Sequence, residues 1–209
     1  MSRLLTRRSM LTSMLATGIS TPAIAGSNFD MLAAFTDNSA EINALAQSLN
    51  GKPSVRPYSG KRRLHGFNPR TSEWLDIDWD GQFELPDEQF KLFLRWHRDW
   101  RENKENPNTP KRLVEVMADT HRLLDTRKPY DLTSGYRALK TNNWLRSIGV
   151  GAAQNSLHIK GQAADLSLSN RTPDQVGKAG RAAGAGGVGV YPGSHFAHLD
   201  VGSKRTWRG

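Results

Sequence analysis

The sequence predicts an α+β fold, a single compact domain with helices packed on a small antiparallel sheet. Three observations predict it. The chain has 209 residues, 37% of them hydrophobic, which suits one domain of moderate size with its own core. Its middle carries two stretches with apolar residues at helical spacing. Its last third carries short apolar runs divided by turn residues, and helices followed by short strands fit an α+β domain. There is no internal repeat and no low-complexity tract.

The elements follow in order. Residues 1–25 hold Arg3, Arg7 and Arg8 and no acid, then an apolar stretch over 10–19, then Pro22 and Ala23-Ile24-Ala25. This is the pattern of a signal peptide with a small-x-small cleavage site. Thr6-Arg7-Arg8-Ser9-Met10-Leu11 looks like a twin-arginine signal; an ordinary secretory signal or an uncleaved anchor is the alternative. The apolar run falls short of the about 20 residues a transmembrane span needs. Export to the periplasm by the twin-arginine route is expected, with no transmembrane span in the mature chain. Residues 26–62 read as a poorly patterned segment, and 63–209 as the folded domain.

Within that domain, residues 75–80 alternate strictly and read as a half-buried strand, with Asp80-Gly81 as a hairpin turn into Gln82-Phe83. Residues 87–102 read as a helix with Phe90, Phe93, Leu94 and His97 on one face. Thr109 with Pro110 behind it starts a second helix, whose buried face is marked by Leu113, Val116, Met117 and Leu124. Residues 131–136 read as a short strand and 142–147 as a short helix. A strand over 163–168 and a helix over 172–183 follow, the helix opened by Thr172-Pro173. A glycine-rich passage over 184–189 leads into a strand, and residues 196–201 form the last one.

Composition narrows the chemistry. With no cysteine there is no disulfide framework, no Cys-ligated zinc, no iron–sulfur cluster and no thiol nucleophile. Twenty-nine Lys and Arg against 20 Asp and Glu give a net charge of +9. Without the leader's three arginines it is +6. Such a protein suits anionic partners: nucleic acid, lipid head groups or an acidic wall polymer. The basic residues are scattered, with small clusters at Lys61-Arg62-Arg63 and Lys111-Arg112, and no nucleic-acid motif is present, so nucleic acid is the weakest of the three.

Asp76-x-Asp78-x-Asp80-Gly81, with Asp87 six residues on, imitates an EF-hand loop. The residues before Asp76 alternate like a strand, whereas a calcium loop lies between two helices, so a solvated strand face is the better reading. Of the six histidines, His97 falls on an apolar helix face and reads as a packed core residue. His65 and His121 have no patterned partner. His158, in Ser156-Leu157-His158-Ile159-Lys160-Gly161-Gln162-Ala163-Ala164-Asp165, precedes an extended run that ends in a carboxylate. His195-Phe196-Ala197-His198-Leu199-Asp200 comes later. Two imidazoles and one carboxylate suffice for a catalytic zinc with a position left open for water. On residue types alone, the alternative is two loop histidines and a turn-capping aspartate.

Ser-x-His-x-x-Gly-x-Ala-x-Asp followed by a strand histidine resembles the zinc D-Ala-D-Ala peptidases of the M15 family. The closer resemblance is to a branch of that family that includes peptidoglycan endopeptidases. It rests on Arg127-Lys128-Pro129, Ser134-Gly135-Tyr136-Arg137, Thr141-Asn142-Asn143, Gly186-Gly187-Val188-Gly189-x-Tyr191-Pro192 and Phe196-x-His198-x-Asp200-x-Gly202, and covers roughly residues 64–207. The resemblance implies that the sheet carries a zinc site of His158, Asp165 and His198. It implies that Arg137 holds substrate or the developing oxyanion, a role suited to a fixed, charged guanidinium. Ser156 matches a serine near the metal and substrate, with a turn hydrogen bond as the alternative. Tyr191-Pro192 and the preceding glycines shape the substrate groove, and Tyr136 packs in the core.

Many relatives carry an acid three residues before the last zinc histidine as general base. Here His195 stands there. His195 and Asp200 are therefore both candidates for proton transfer, and Asp200 is alternatively a partner that orients His198. The resemblance implies a monomeric, exported zinc metallopeptidase acting on peptidoglycan stem peptides, as a cross-link endopeptidase. The alternatives are a D,D- or L,D-carboxypeptidase on the same substrate and a non-catalytic zinc-containing wall-binding module.

Overall fold

Strand pairing begins before the residues whose alternation is plain in the sequence. In the computed structural model, which describes residues 60–209, β1 spans Lys61–Asn68 and pairs antiparallel with β2, Glu73–Asp80. The leader and the segment up to residue 59 lie outside the described residues. β1 escapes a hydrophobic-pattern reading because Arg62 occupies an inward position, beside Leu64 and Gly66. Its guanidinium makes two 3.1 Å bonds to the carboxylate of Asp119, and both side chains are buried. The turn joining β1 to β2 precedes Glu73, so Asp80-Gly81 closes no hairpin. It makes a local turn in which the Asp80 carboxylate accepts from the Gln82 N–H and the Asp80 carbonyl from the Phe83 N–H.

Helix α1, Asp87–His97, stops five residues short of the expected end. Arg98 turns extended, and the Asp99 carboxylate accepts from the N–H groups of Arg101 and Glu102. A side chain that captures backbone donors in this way competes with helix continuation. Helix α2 spans Lys111–Leu123 with Pro110, not Thr109, at the cap, and without a side-chain cap bond; Thr109 is buried. β3, Tyr130–Ser134, leads to α3, Leu139–Ser147, then to a single 3-10 turn, Leu157–Lys160. β4, Ala163–Ser167, is followed by α4, Pro173–Ala182, which Thr172 and Gln175 open with a reciprocal capping box. β5 (Gly187–Tyr191), β6 (Phe196–Asp200) and β7 (Arg205–Arg208) complete the order.

The seven strands form one sheet in the order β2-β1-β3-β4-β6-β5-β7. It is larger than the small antiparallel sheet expected, and it is mixed: β1 runs parallel to β3 and β5 parallel to β7. The α+β class stands, with four α-helices among the described residues. Strand alternation divides the two faces. Leu64, Leu132, Ala164, Leu166, Val188, Val190, Ala197 and Leu199 join the helices' Phe93, Trp96, Leu113, Met117 and Val176 in one core. Each fully buried Leu or Val contributes about 1.5–3 kcal/mol. The other face of β4 and β6 carries Asp165, His198 and Asp200.

The clusters read as basic patches are largely neutralised. Arg62 is buried on Asp119, Arg63 pairs with Asp76, Lys111 with Asp87 and Arg112 with Glu115. Asp76, Asp78 and Asp80 alternate along the exposed side of β2, as a strand face requires. His97 is a packed core histidine: it stacks on Phe93 and bonds through Nε2 to the Ala163 carbonyl at 3.0 Å.

Two stability predictions follow from these buried groups. Arg62→Ala leaves the Asp119 carboxylate buried without its partner and is expected to cost about 3–5 kcal/mol in urea unfolding; replacing both residues by apolar ones costs less. For His97, burial outweighs the hydrogen bond to Ala163 and pushes the pKa down to about 4. The unfolded chain takes up this proton near pH 6.5 and the folded chain only near pH 4. Stability from this group is therefore constant above pH 6.5 and falls by about 3 kcal/mol as pH drops from 6.5 to 4. His97→Gln is expected to flatten that part of the pH profile.

Candidate active site

The register of β4 on β6 sets Asp165 directly beside His198. His158 comes from the 3-10 turn just before β4. Ser156 caps that turn, its Oγ accepting from the His158 N–H at 3.3 Å, and Gly161 ends it at φ +67°. The three side chains meet on the face opposite the core. His198 Nδ1 lies 2.8 Å from Asp165 Oδ1, His158 Nε2 lies 3.3 Å from the same oxygen, and the two nitrogens are 3.2 Å apart. All three residues are buried.

The outer nitrogen of each imidazole is held in turn. His158 Nδ1 donates to the Gly135 carbonyl at 2.8 Å. Gly135 reaches that position because it has no side chain: a Cβ there would stand 2.3 Å from the His97 carbonyl oxygen. His198 Nε2 bonds to Asp200 Oδ2 at 2.9 Å. These bonds turn His158 Nε2, His198 Nδ1 and Asp165 Oδ1 toward one point, and imidazole ligands with their outer N–H so engaged are the usual dress of a metal site. Tetrahedral ligands at zinc bond lengths stand about 3.3 Å apart, close to the separations seen. The donor set and spacing fit a divalent metal, with two nitrogens and one carboxylate oxygen.

The electrostatics agree with this packing. Burial alone would raise the Asp165 carboxyl, but His158 and His198 hold it well below the usual carboxylate range. Burial would lower His198, yet its bonds to Asp165 and Asp200 raise it to about 9. Asp200 is held down to about 2 against its own burial, by His198 and the N–H groups of Gly202 and Gly187. Arg205 adds a 2.6 Å contact to Asp200 Oδ2.

The two candidates for proton transfer thus occupy different settings. Asp200 is wholly buried behind His198, with both oxygens engaged. That is the setting of a group that orients His198, not of one that faces a reactant. His195 is exposed and stands at φ +57° just before β6. It lies outside the three-residue cluster. It lines a polar pocket with Asp131 and Ser167. Ser167 is two residues beyond Asp165 and opposite Asp131, so both alternate onto the Asp165 face.

Arg137 is joined to the cluster through the backbone, its N–H donating to the His158 carbonyl at 3.1 Å. Its guanidinium donates to Ser134 Oγ and Asn142 Oδ1, each at 3.2 Å, and burial lowers its pKa. Tyr191 stacks on Phe196 and its hydroxyl accepts from Trp207 Nε1 at 2.6 Å. Tyr136 is half-buried, its backbone N–H on the His97 carbonyl.

Sequence reasoning missed Trp207, whose ring centre lies 5.1 Å from that of His198. Gly189, beside His198 in the sheet, makes room for it; a Cβ there would meet the indole at 2.4 Å. The available signal was an aromatic residue between arginines in a four-residue strand, too short to show a period. The Gly135 carbonyl and Arg205 were missed as well, since neither is legible without the fold.

The chain is similar to known proteins. A family model for an M15-type peptidase, described as peptidoglycan L,D-endopeptidase MepK, matches residues 56–207. The peptidoglycan L,D-endopeptidase MepK of Escherichia coli K12 is 40% identical over 141 residues, covering 67% of this chain and 76% of that protein. A probable peptidoglycan L,D-endopeptidase MepK of Haemophilus influenzae is 40% identical over 79 residues, covering 38% and 42%. Among solved structures, the Serratia marcescens L-Ala D-Glu endopeptidase ChiX aligns with a TM-score of 0.30 and 21% identity, over 36% of this chain and 62% of that one. With its family match spanning most of its length, the chain belongs to the MepK family of M15-type peptidases.

Proposed function

We propose that this chain is an exported, monomeric zinc endopeptidase that cleaves peptide cross-links of peptidoglycan. The observation that carries the reading is the convergence of His158 Nε2, His198 Nδ1 and Asp165 Oδ1, with Gly135 and Asp200 holding the outer imidazole nitrogens. Family membership supports the substrate, because the relatives are named peptidoglycan L,D-endopeptidases. A peptidoglycan substrate implies a place outside the cytoplasm. No helix among the described residues is long and apolar enough to cross a membrane, and the twin-arginine pattern in residues 1–25 supplies the export route.

In this reading His158, Asp165 and His198 hold the ion. Zinc bound there supplies Lewis-acid chemistry, polarising an amide carbonyl and acidifying water. Asp200 fixes the His198 ring so that Nδ1 faces the site. Arg137, half-buried and bonded only to neutral side chains, presents a guanidinium where negative charge develops on the substrate. Asp200 is committed to His198, so the proton is accepted by His195, whose imidazole is exposed. Trp207 and Tyr191 form the wall of the groove on the β5–β7 side, and Ser156 holds the turn that carries His158.

The test is a digestion of intact sacculi by the purified protein, with zinc and with a chelator, read by mass spectrometry of the released muropeptides. Zinc-dependent loss of cross-linked dimers, absent in His158→Ala, is expected. Loss of terminal alanine alone would make the protein a carboxypeptidase. No change at one zinc per chain would make it a binding module. A paired comparison separates the two proton candidates. Asp200→Ala is expected to weaken zinc binding about 10–100-fold in chelator competition. His195→Ala is expected to leave zinc content intact while kcat falls about 10²–10⁴-fold.

A further inference from the structure

A second pocket adjoins the metal-binding cluster, and of its lining the chemistry above uses Arg137 alone. Arg70, Trp100, Arg101 and Arg137 line it. One chain segment joins it to the cluster: Ser134 pairs with Asp165 across the sheet, the Gly135 carbonyl holds His158, and the Arg137 N–H bonds to the His158 carbonyl.

The pocket carries an excess of positive charge, with Arg70, Arg101 and Arg137 set against Asp99. Arg62, Arg63, Arg98, Arg205 and Arg208 each pair with a carboxylate. Among the described residues no carboxylate stands at ion-pairing distance from Arg70, Arg101 or Arg137. Asp99 also lines the pocket, but its oxygens are occupied by the N–H groups of Arg101, Glu102 and Ala138. Asp99 therefore ties the loop bearing Arg101 to the residue after Arg137.

The outer arginines are also oriented. The Arg101 guanidinium carbon lies 4.3 Å from the centre of the Trp100 ring and 5.1 Å from that of Trp144, and Arg70 lies 5.9 Å from Trp100. Both indoles are exposed, 41% and 48%. Stacking on an aromatic face holds a guanidinium plane while leaving its N–H fork free. Holding guanidiniums together in excess of one carboxylate is unfavourable in the free protein and favourable once a further anion arrives. The matching ligand is a planar carboxylate, which the fork takes through two bonds.

We propose that Arg70 and Arg101, both held against Trp100, form a subsite for a free carboxylate of the acidic stem peptide, separate from the group that Arg137 serves. The proposal rests on the peptidoglycan reading and adds to it a preference for stems whose carboxylates are not amidated.

The test uses the full zinc-loaded protein and two substrates: a cross-linked muropeptide dimer with free carboxylates and the same dimer amidated. On the free dimer, Arg70→Ala and Arg101→Ala are each expected to raise KM about tenfold with kcat within about twofold. On the amidated dimer the wild type already shows the raised KM, and the variants lose nothing more. Equal loss on both substrates, the result of a merely structural role, overturns the proposal, and so does no loss on either. Calorimetric titration with an uncross-linked acidic stem tetrapeptide separates this outcome from failure of the peptidoglycan reading. If the wild type cleaves neither dimer, that reading falls. The subsite stands only if the tetrapeptide still binds, the amidated tetrapeptide binds about tenfold more weakly, and both arginine variants erase the difference.

Discussion

The site depends on the register of β4 against β6. Asp165 and His198 are direct cross-strand neighbours, and their own neighbours Ala164, Leu166, Ala197 and Leu199 fill the core. Side chains on a strand alternate with a period of two, so a one-residue slip of β6 would turn His198 and Asp200 toward the helices and Ala197 and Leu199 away from them. The hydrophobic effect that packs the helices thus also fixes where the two donors stand. The spacing of the ligand atoms is a by-product of core burial and needs no loop of special shape.

The remaining donor is positioned by a different kind of constraint. His158 sits on one short turn, and its ring is aimed by a carbonyl from a neighbouring segment. That segment approaches closely because residue 135 lacks a side chain and His97 is packed beneath it. His198 is aimed by a carboxylate that four other donors hold in place, two of them backbone N–H groups. One imidazole thus rests on a neutral dipole and the other on a full charge. The latter, with Asp165, raises His198 and makes that ring dependent on its carboxylate partners.

Much of this was legible in the chain. The strands at 163 and 196 and the capped helix after Thr172 were read close to their observed limits, because local pattern and tertiary role agree there; His158, Asp165 and His198 were singled out through the family resemblance, and the fold brings their side chains together. The sheet was underestimated for physical reasons. In β1 an arginine fills a core position, and its counter-charge lies 57 residues away on another element. In β7 four residues are too few to display alternation. The early end of α1 follows from Asp99, whose side chain bonds the backbone in a way that residue type alone does not announce. Asp200 was read both as a base and as an orienting partner. Only its full burial and its contacts separate the two.

The pairing of β7 with β5 has a consequence for the order of assembly. Trp207 and Arg205 reach the site from the final strand, and that strand joins the sheet in parallel beside β5. Parallel partners cannot be linked by a tight turn, so β6 must be laid down between them in sequence before β7 can dock. A nascent chain can bring His158, Asp165 and His198 into the sheet while Asp200 still lacks its arginine and His198 its indole neighbour. The donors depend on the pairing of β4 with β6, and the indole and arginine beside them on the separate pairing of β5 with β7.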